Sequence, residues 1–259
     1  NLQFKAGEAP RGTASRLRDL AAQLKQVDYQ MDERLLALAL VLAAALIVLP
    51  LMILRRRGAV AQRPESASSV TWRYLLYFSL LGLAFLLVEL PLLQHYIVYV
   101  GQPAYAFAVV VTGLLLASGL GSRYLSQRLP PFVGLAGLAA LGLAYPALLT
   151  PLFDATIGLP LAVRAALGGL ALLPLGALMG TPFPQGLARV HTEAPHLLPW
   201  VWAVNGSASV VSAVLAPMLA IDLGFRAVVM LGALAYLAAL GALGITRRES
   251  AARTPPRPS

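Results

Sequence analysis

The sequence predicts an all-α integral membrane protein, a bundle of about seven transmembrane helices preceded by a short amphipathic helix. Three observations predict it. Hydrophobic residues make up 58% of the 259 positions, charged residues only 12%, against about 25% charged in an ordinary soluble domain. The mean hydropathy is +0.73. Apolar runs of roughly 20 residues recur along the chain, each long enough to cross a hydrocarbon core about 30 Å thick. There is no Cys, which excludes disulfides and thiolate metal sites. The net charge of +9 comes from arginines placed between apolar runs rather than from a basic patch interleaved with aromatics. It therefore speaks for bilayer orientation and against nucleic-acid binding.

Residues 1–34 are polar. Leu17, Leu20, Leu24 and Val27 recur at helical spacing between charges, which predicts a short amphipathic helix over 15–33. The chain begins at Asn1 with no basic-apolar-small leader before Leu35, so residues 1–34 read as a linker following an upstream domain of a longer protein. The membrane domain is expected over 35–248, and a disordered, basic, Pro-rich tail over 249–259.

The first span is expected at 35–54, closed by Arg55, Arg56 and Arg57, with Pro50 near its end. A loop over 58–73 follows. The second span, 74–93, contains Glu89 and Pro91; an uncharged polar-aromatic turn from Gln94 then leads to the third, 103–121. The fourth is expected at 131–149, the fifth at 161–180, the sixth at 199–221 and the seventh at 226–245. The Thr181-Pro182-Phe183-Pro184 sequence reads as a helix breaker, with a polar loop running on to Leu198. Alternating sides puts twelve arginines on one face of the membrane (55, 56, 57, 63, 73, 123, 128, 189, 247, 248, 253 and 257). The opposite loops between spans hold only Arg226. The arginine-rich side, with the C-terminus, is expected to be cytoplasmic, and 1–34, with six basic and five acidic residues, to lie outside.

The candidate functional residues are polar groups placed inside these spans. Glu89 and Arg164 stand at matched depths from the outer end of their spans. An intramembrane charge is costly unless paired or hydrated, so the two are expected to pair if their helices are neighbours. Arg164 equally reads as snorkelling to the outer interface, and Glu89 as bonding hydroxyls across helices. Asn205, Ser209 and Ser212 share one face of the sixth span, suited to close helix packing or to a polar ligand path. Gln94 opens the inter-helix turn. His191 and His196 lie in a loop without a second ligand pair, so no metal is expected. No phosphate loop, dinucleotide fingerprint or nucleophile elbow is present, and no cofactor or catalytic residue is assigned in this chain.

Two ordered blocks carry a family resemblance. The first is Gly82-Leu-Ala-Phe-Leu-Leu-Val-Glu89-Leu-Pro-Leu-Leu-Gln94, followed by Gly101-Gln-Pro-Ala-Tyr105-Ala and Ser118-Gly-Leu-Gly-Ser122. The second is Gly180-Thr-Pro182-Phe183-Pro184-Gln-Gly186-Leu, with Pro199-Trp200-Val-Trp202-Ala-Val-Asn205-Gly206-Ser-Ala-Ser209-Val. Over 74–245 the chain resembles the C-terminal membrane region of polytopic bacterial spermidine-synthase-like proteins. It departs from that pattern at Gln102, where the family usually has His, and at His95, where it usually has a basic residue. The resemblance implies a bacterial inner-membrane domain anchoring a separate soluble catalytic domain, aminopropyltransferase-like or methyltransferase-like, of the same parent protein. An intramembrane carboxylate would suit a small cationic, polyamine-like substrate, so binding or passing of one is expected, with Glu89 as counter-ion and Gln94, Arg164, Asn205 and Ser209 as further substrate-binding candidates. A transporter or exporter half and a purely structural anchor are the alternatives. A catalytic domain upstream of Asn1 would face outside on this topology, unless the parent order differs or the fifth span is re-entrant.

Overall fold

The computed structural model describes residues 65–253 together with Val41; side chains are described over 70–243 except at 222. The expected amphipathic helix at 15–33 and the first span at 35–54 lie outside these residues. Among the described residues the chain is helical throughout, and six helical segments are long and apolar enough to span a membrane. They correspond one for one to the second to seventh spans read from the sequence.

The helices are α1 (Glu65–Val100), α2 (Pro103–Leu120), α3 (Pro131–Thr156), α4 (Leu161–Met179), α5 (Pro182–Glu193), α6 (Leu198–Leu223) and α7 (Phe225–Arg253). A π-helical turn, Gly121–Leu125, continues α2, and a single 3-10 turn, Pro195–Leu197, precedes α6. Two turns are sharp because glycines take positive φ. Gly101 (φ 82°) ends α1 and Gly224 (φ 81°) ends α6, each donating its N–H back to the carbonyl four residues earlier, Ile97 and Ala220.

Helix α1 is the axis of the bundle. Half of its apolar window is buried, more than in any other span, and it packs chiefly on α6 and α7, with further contacts to α2, α4 and α5. Helices α2 and α4 form a second tight pair, and α3 bridges α7 and α4. The pairs close where glycines remove the Cβ. A Cβ on Gly82 would strike the Asn205 carbonyl of α6, and one on Gly232 of α7 would sit 2.7 Å from Val88. Gly121 and Gly180 lie against the backbone of Ala177 and Ser118 in the same way, binding the ends of α2 and α4.

The boundaries differ from expectation at both ends of α1, at the C-terminal ends of α3 and α7, and at α5. Glu65 to Arg73, expected in a loop, are helical. Helix α1 then runs unbroken through Pro91, Gln94 and His95 to Val100. A membrane helix tolerates proline because neighbouring helices satisfy the freed backbone groups. The segment read as a polar-aromatic turn is instead a packed wall: Tyr96 and Tyr99 are buried, and Tyr99 stacks on Phe153 at 3.8 Å. Helix α3 likewise passes Pro151 and ends at Thr156. The stretch read as a break and polar loop after Gly180 is helix α5. Its prolines, Pro182 and Pro184, fall in the first turn, where the missing N–H groups have no intrahelical acceptor. Its buried positions, Pro182, Gln185, Gly186 and Val190, form one face. Finally, α7 continues to Arg253, beyond the expected end at Ile245.

Candidate functional site

Glu89 lies deeper than its sequence context suggests. Because α1 ends at Val100 rather than at 93, the carboxylate is eleven residues from that end, about 16 Å at 1.5 Å per residue. It is four residues from the midpoint of the apolar segment Val70–Val100, about 6 Å along the axis. It is half-buried. No hydrogen bond or ion pair joins it to another described residue; the group within electrostatic range is the buried phenol of Tyr236 on α7.

The expected partnership with Arg164 does not form. Arg164 Nη1 donates to the backbone carbonyl of Tyr99 at 2.7 Å. Tyr99 is ten residues beyond Glu89 on α1, about 15 Å along the axis. Arg164 therefore serves the last turn of α1, where orphan carbonyls and the negative end of the helix dipole favour a cation. Its Nε is buried without a hydrogen-bond partner. Nearby groups lock the same end. Tyr99 shares a 2.7 Å hydrogen bond with Thr156, and Tyr96 donates to the Gly168 carbonyl at 2.8 Å. His95 stacks on Phe153 at 5.3 Å.

Asn205, Ser209 and Ser212 do share a face, and that face is turned to α1. Asn205 Nδ2 donates to the Phe78 carbonyl at 3.0 Å and Ser209 Oγ to the Gly82 carbonyl at 3.2 Å. Ser212 Oγ donates to the Leu83 carbonyl at 2.7 Å. Together with Gly82 they make a hydrogen-bonded seam between α1 and α6, and their donors are committed to backbone. Gln94 is half-buried and its Oε1 has no hydrogen-bond partner. It stands five residues from Glu89, about 140° round α1, so the two do not share a face. The structure thus brings Asn205, Ser209 and α1 together, sets Arg164 apart from Glu89, and leaves Glu89 and Gln94 on different sides of one helix.

Sequence reading missed the fittings that hold α5. Tyr74 Oη donates to the Glu193 carboxylate at 2.5 Å, and Tyr77 Oη to the Pro182 carbonyl at 2.7 Å. Gln185 is buried, and its Nε2 donates to the carbonyls of Ser126 and Leu129 at 2.9 and 2.8 Å, leaving its Oε1 without a hydrogen-bond partner. The available signal was the period of the buried residues in 182–190, which the two prolines masked. Two grooves flank α5, of about 610 and 550 Å³. Among the described residues no three His, Asp or Glu side chains gather as a metal site.

These contacts define a helical bundle of membrane type in which Glu89 makes no hydrogen bond or ion pair with another described residue. No protein-family model, curated protein or solved structure matches the chain.

Proposed function

We propose that the chain is the membrane domain of a bacterial spermidine-synthase-like protein. In this reading it anchors that protein's soluble catalytic domain in the inner membrane and holds or passes a small cationic, polyamine-like substrate against Glu89. The observation that carries the reading is the isolation of Glu89, a carboxylate near the middle of the Val70–Val100 segment without a hydrogen bond or ion pair to another described residue. A lone carboxylate in hydrocarbon costs several kcal/mol, and a bound ammonium group would offset that cost. The commitment of Arg164 to the Tyr99 carbonyl supports the same reading, because it removes the counter-ion that the sequence suggested for Glu89. The two motif blocks that resemble the spermidine-synthase-like family supply the substrate class.

The test is calorimetric titration of the purified protein in detergent with spermidine and with putrescine, for the wild type and Glu89→Gln. Saturable binding lost in the variant is the expected result. Negligible binding by both proteins would leave a membrane anchor without a ligand. The exporter reading draws on Pro91, Pro146, Pro151, Pro174 and Pro217, which lie inside α1, α3, α4 and α6. It predicts polyamine flux in proteoliposomes that Glu89→Gln abolishes.

A further inference from the structure

The exposed edge of α5 carries a groove with two halves of opposite character. On one side, toward the first turn of α6, the groove of about 610 Å³ is walled by Leu187, His191, Leu198 and Trp202. On the other side, toward the π-helical turn, the groove of about 550 Å³ is walled by Ser122, Ser126, Gln127 and Gln185. Pro184 and Ala188 line both, and Ala188 is exposed, so the two adjoin across a small side chain at the surface of α5. Each half falls within the size range of small-molecule sites, about 300–1,000 Å³.

The apolar half is preformed. Trp202 is 57% exposed, yet its ring is held edge-on against Phe183 at 4.7 Å. An indole at the end of a membrane helix sits at headgroup level, with its apolar body toward the acyl region. Beyond the polar half, Arg123 and Arg128 directly follow Ser122 and Gln127 and are exposed. Arg123 lies 5.7 Å from the Tyr124 ring centre. The described helix ends and loops on this side carry Arg73, Arg123, Arg128, Arg189, Arg247, Arg248 and Arg253, against Glu65, Glu193 and Glu249. Glu193 is engaged by Tyr74, so the field at the groove is positive.

An occupant must therefore be amphiphilic and anionic, with a chain for the wall of Leu187, Leu198 and Trp202 and a phosphate for the two arginines. We propose that the α5 groove binds a single anionic phospholipid from the surrounding leaflet, its acyl chain beside Trp202 and its phosphate at Arg123 and Arg128. The lipid would pack α5 against the π-helical turn, joining the ends of α2, α4 and α6. This site lies at the arginine-rich end of the bundle and does not rest on the reading of Glu89.

The experiment uses the full chain with Trp72→Phe and Trp200→Phe, which leaves Trp202 as the sole indole. Its fluorescence is followed in phosphatidylcholine vesicles doped with brominated phosphatidylglycerol or brominated phosphatidylcholine. The expected result is quenching with an apparent association constant about five- to thirtyfold greater for the anionic lipid, in line with the attraction of one or two arginines near a membrane surface. Arg123→Gln with Arg128→Gln should abolish that preference. Ala188→Phe, which places a ring where the two grooves adjoin, should also abolish it although every charge is kept. Equal quenching by the two lipids, or a preference untouched by Ala188→Phe, would overturn the proposal; the latter is the signature of general surface attraction or of a peripheral protein's docking face. Native mass spectrometry of the chain with both tryptophans restored is a second readout. Phosphatidylglycerol should be retained by that protein and lost from the double-arginine variant, and equal retention by both would also overturn the proposal.

Discussion

Asn205 and Glu89 show how differently two polar side chains can sit in the same bundle. Asn205 has its amide donor satisfied by a carbonyl of α1; Glu89 has no such contact with another described residue. Replacing Asn205 with Ala should lower unfolding stability by about 0.5–1.5 kcal/mol, the range for interhelical hydrogen bonds in membranes. Spermidine affinity should be unchanged, with denaturant unfolding and calorimetry as the paired readouts. Glu89→Gln should act in the reverse direction on stability. Removing an uncompensated intramembrane charge is expected to raise ligand-free stability by about 1–3 kcal/mol, even as binding is lost. A fall in melting temperature in that variant would mean the carboxylate is held by protein groups after all. The spacing of Asn205, Ser209 and Ser212 was legible in the sequence, since one helical face follows from residue numbers alone. Their acceptors were not, because the carbonyls of Phe78, Gly82 and Leu83 lie more than a hundred positions away.

Helices α1 and α5 carry the lessons at the scale of elements. Proline was read as a break in α5, and α1 was expected to end two residues beyond Pro91; in both the proline lies within a helix. In α1 the aromatic wall of Tyr96, Tyr99 and Phe153 packs the chain beyond Pro91, and Arg164 closes the last turn. Arg164→Gln should therefore speed amide exchange selectively over 95–100, at a cost of about 0.5–2 kcal/mol for a cation at a helix C-terminus. Arg164→Lys should recover part of the protection, since the charge remains while the guanidinium geometry does not. Helix α5 depends on contacts from elsewhere: Tyr74 and Tyr77 of α1 hold its two ends, and Gln185 grips the turn before α3. Tyr74→Phe should increase hydrogen exchange over 186–193 and leave α2 and α4 unaffected. Uniform loosening of the bundle would argue that the Tyr74 hydroxyl supports the core rather than the end of α5. The amphipathic period of α5 was present in the sequence, but twelve residues are too few to outweigh two prolines without knowledge of what they pack against.

For the whole molecule, alternation of the described helices places Gln127 at the arginine-rich end and Gly158 at the opposite end. With no native Cys in the sequence, Gln127→Cys and Gly158→Cys give clean reporters. The positive-inside rule predicts that an impermeant thiol reagent added to intact cells labels the second and not the first. The reverse labelling would invert the assigned orientation. Residue numbers and hydropathy alone gave the helical character of 70–243, the order of its six segments long and apolar enough to cross a membrane, and the residues that are polar within them. These follow from sums over neighbouring residues: the length of an apolar run, its charge content and the rise of a helix. Which polar groups are already satisfied emerges from the packing of the helices. Arg164 meets a carbonyl of α1 rather than Glu89, and the Asn205 face closes a seam rather than lining a path. That outcome depends on which helices touch and at what height. Those heights are set by glycine contacts such as Gly82 against Asn205 and by the seven extra residues of α1 beyond 93, which hydropathy, being blind to contacts between helices, does not encode.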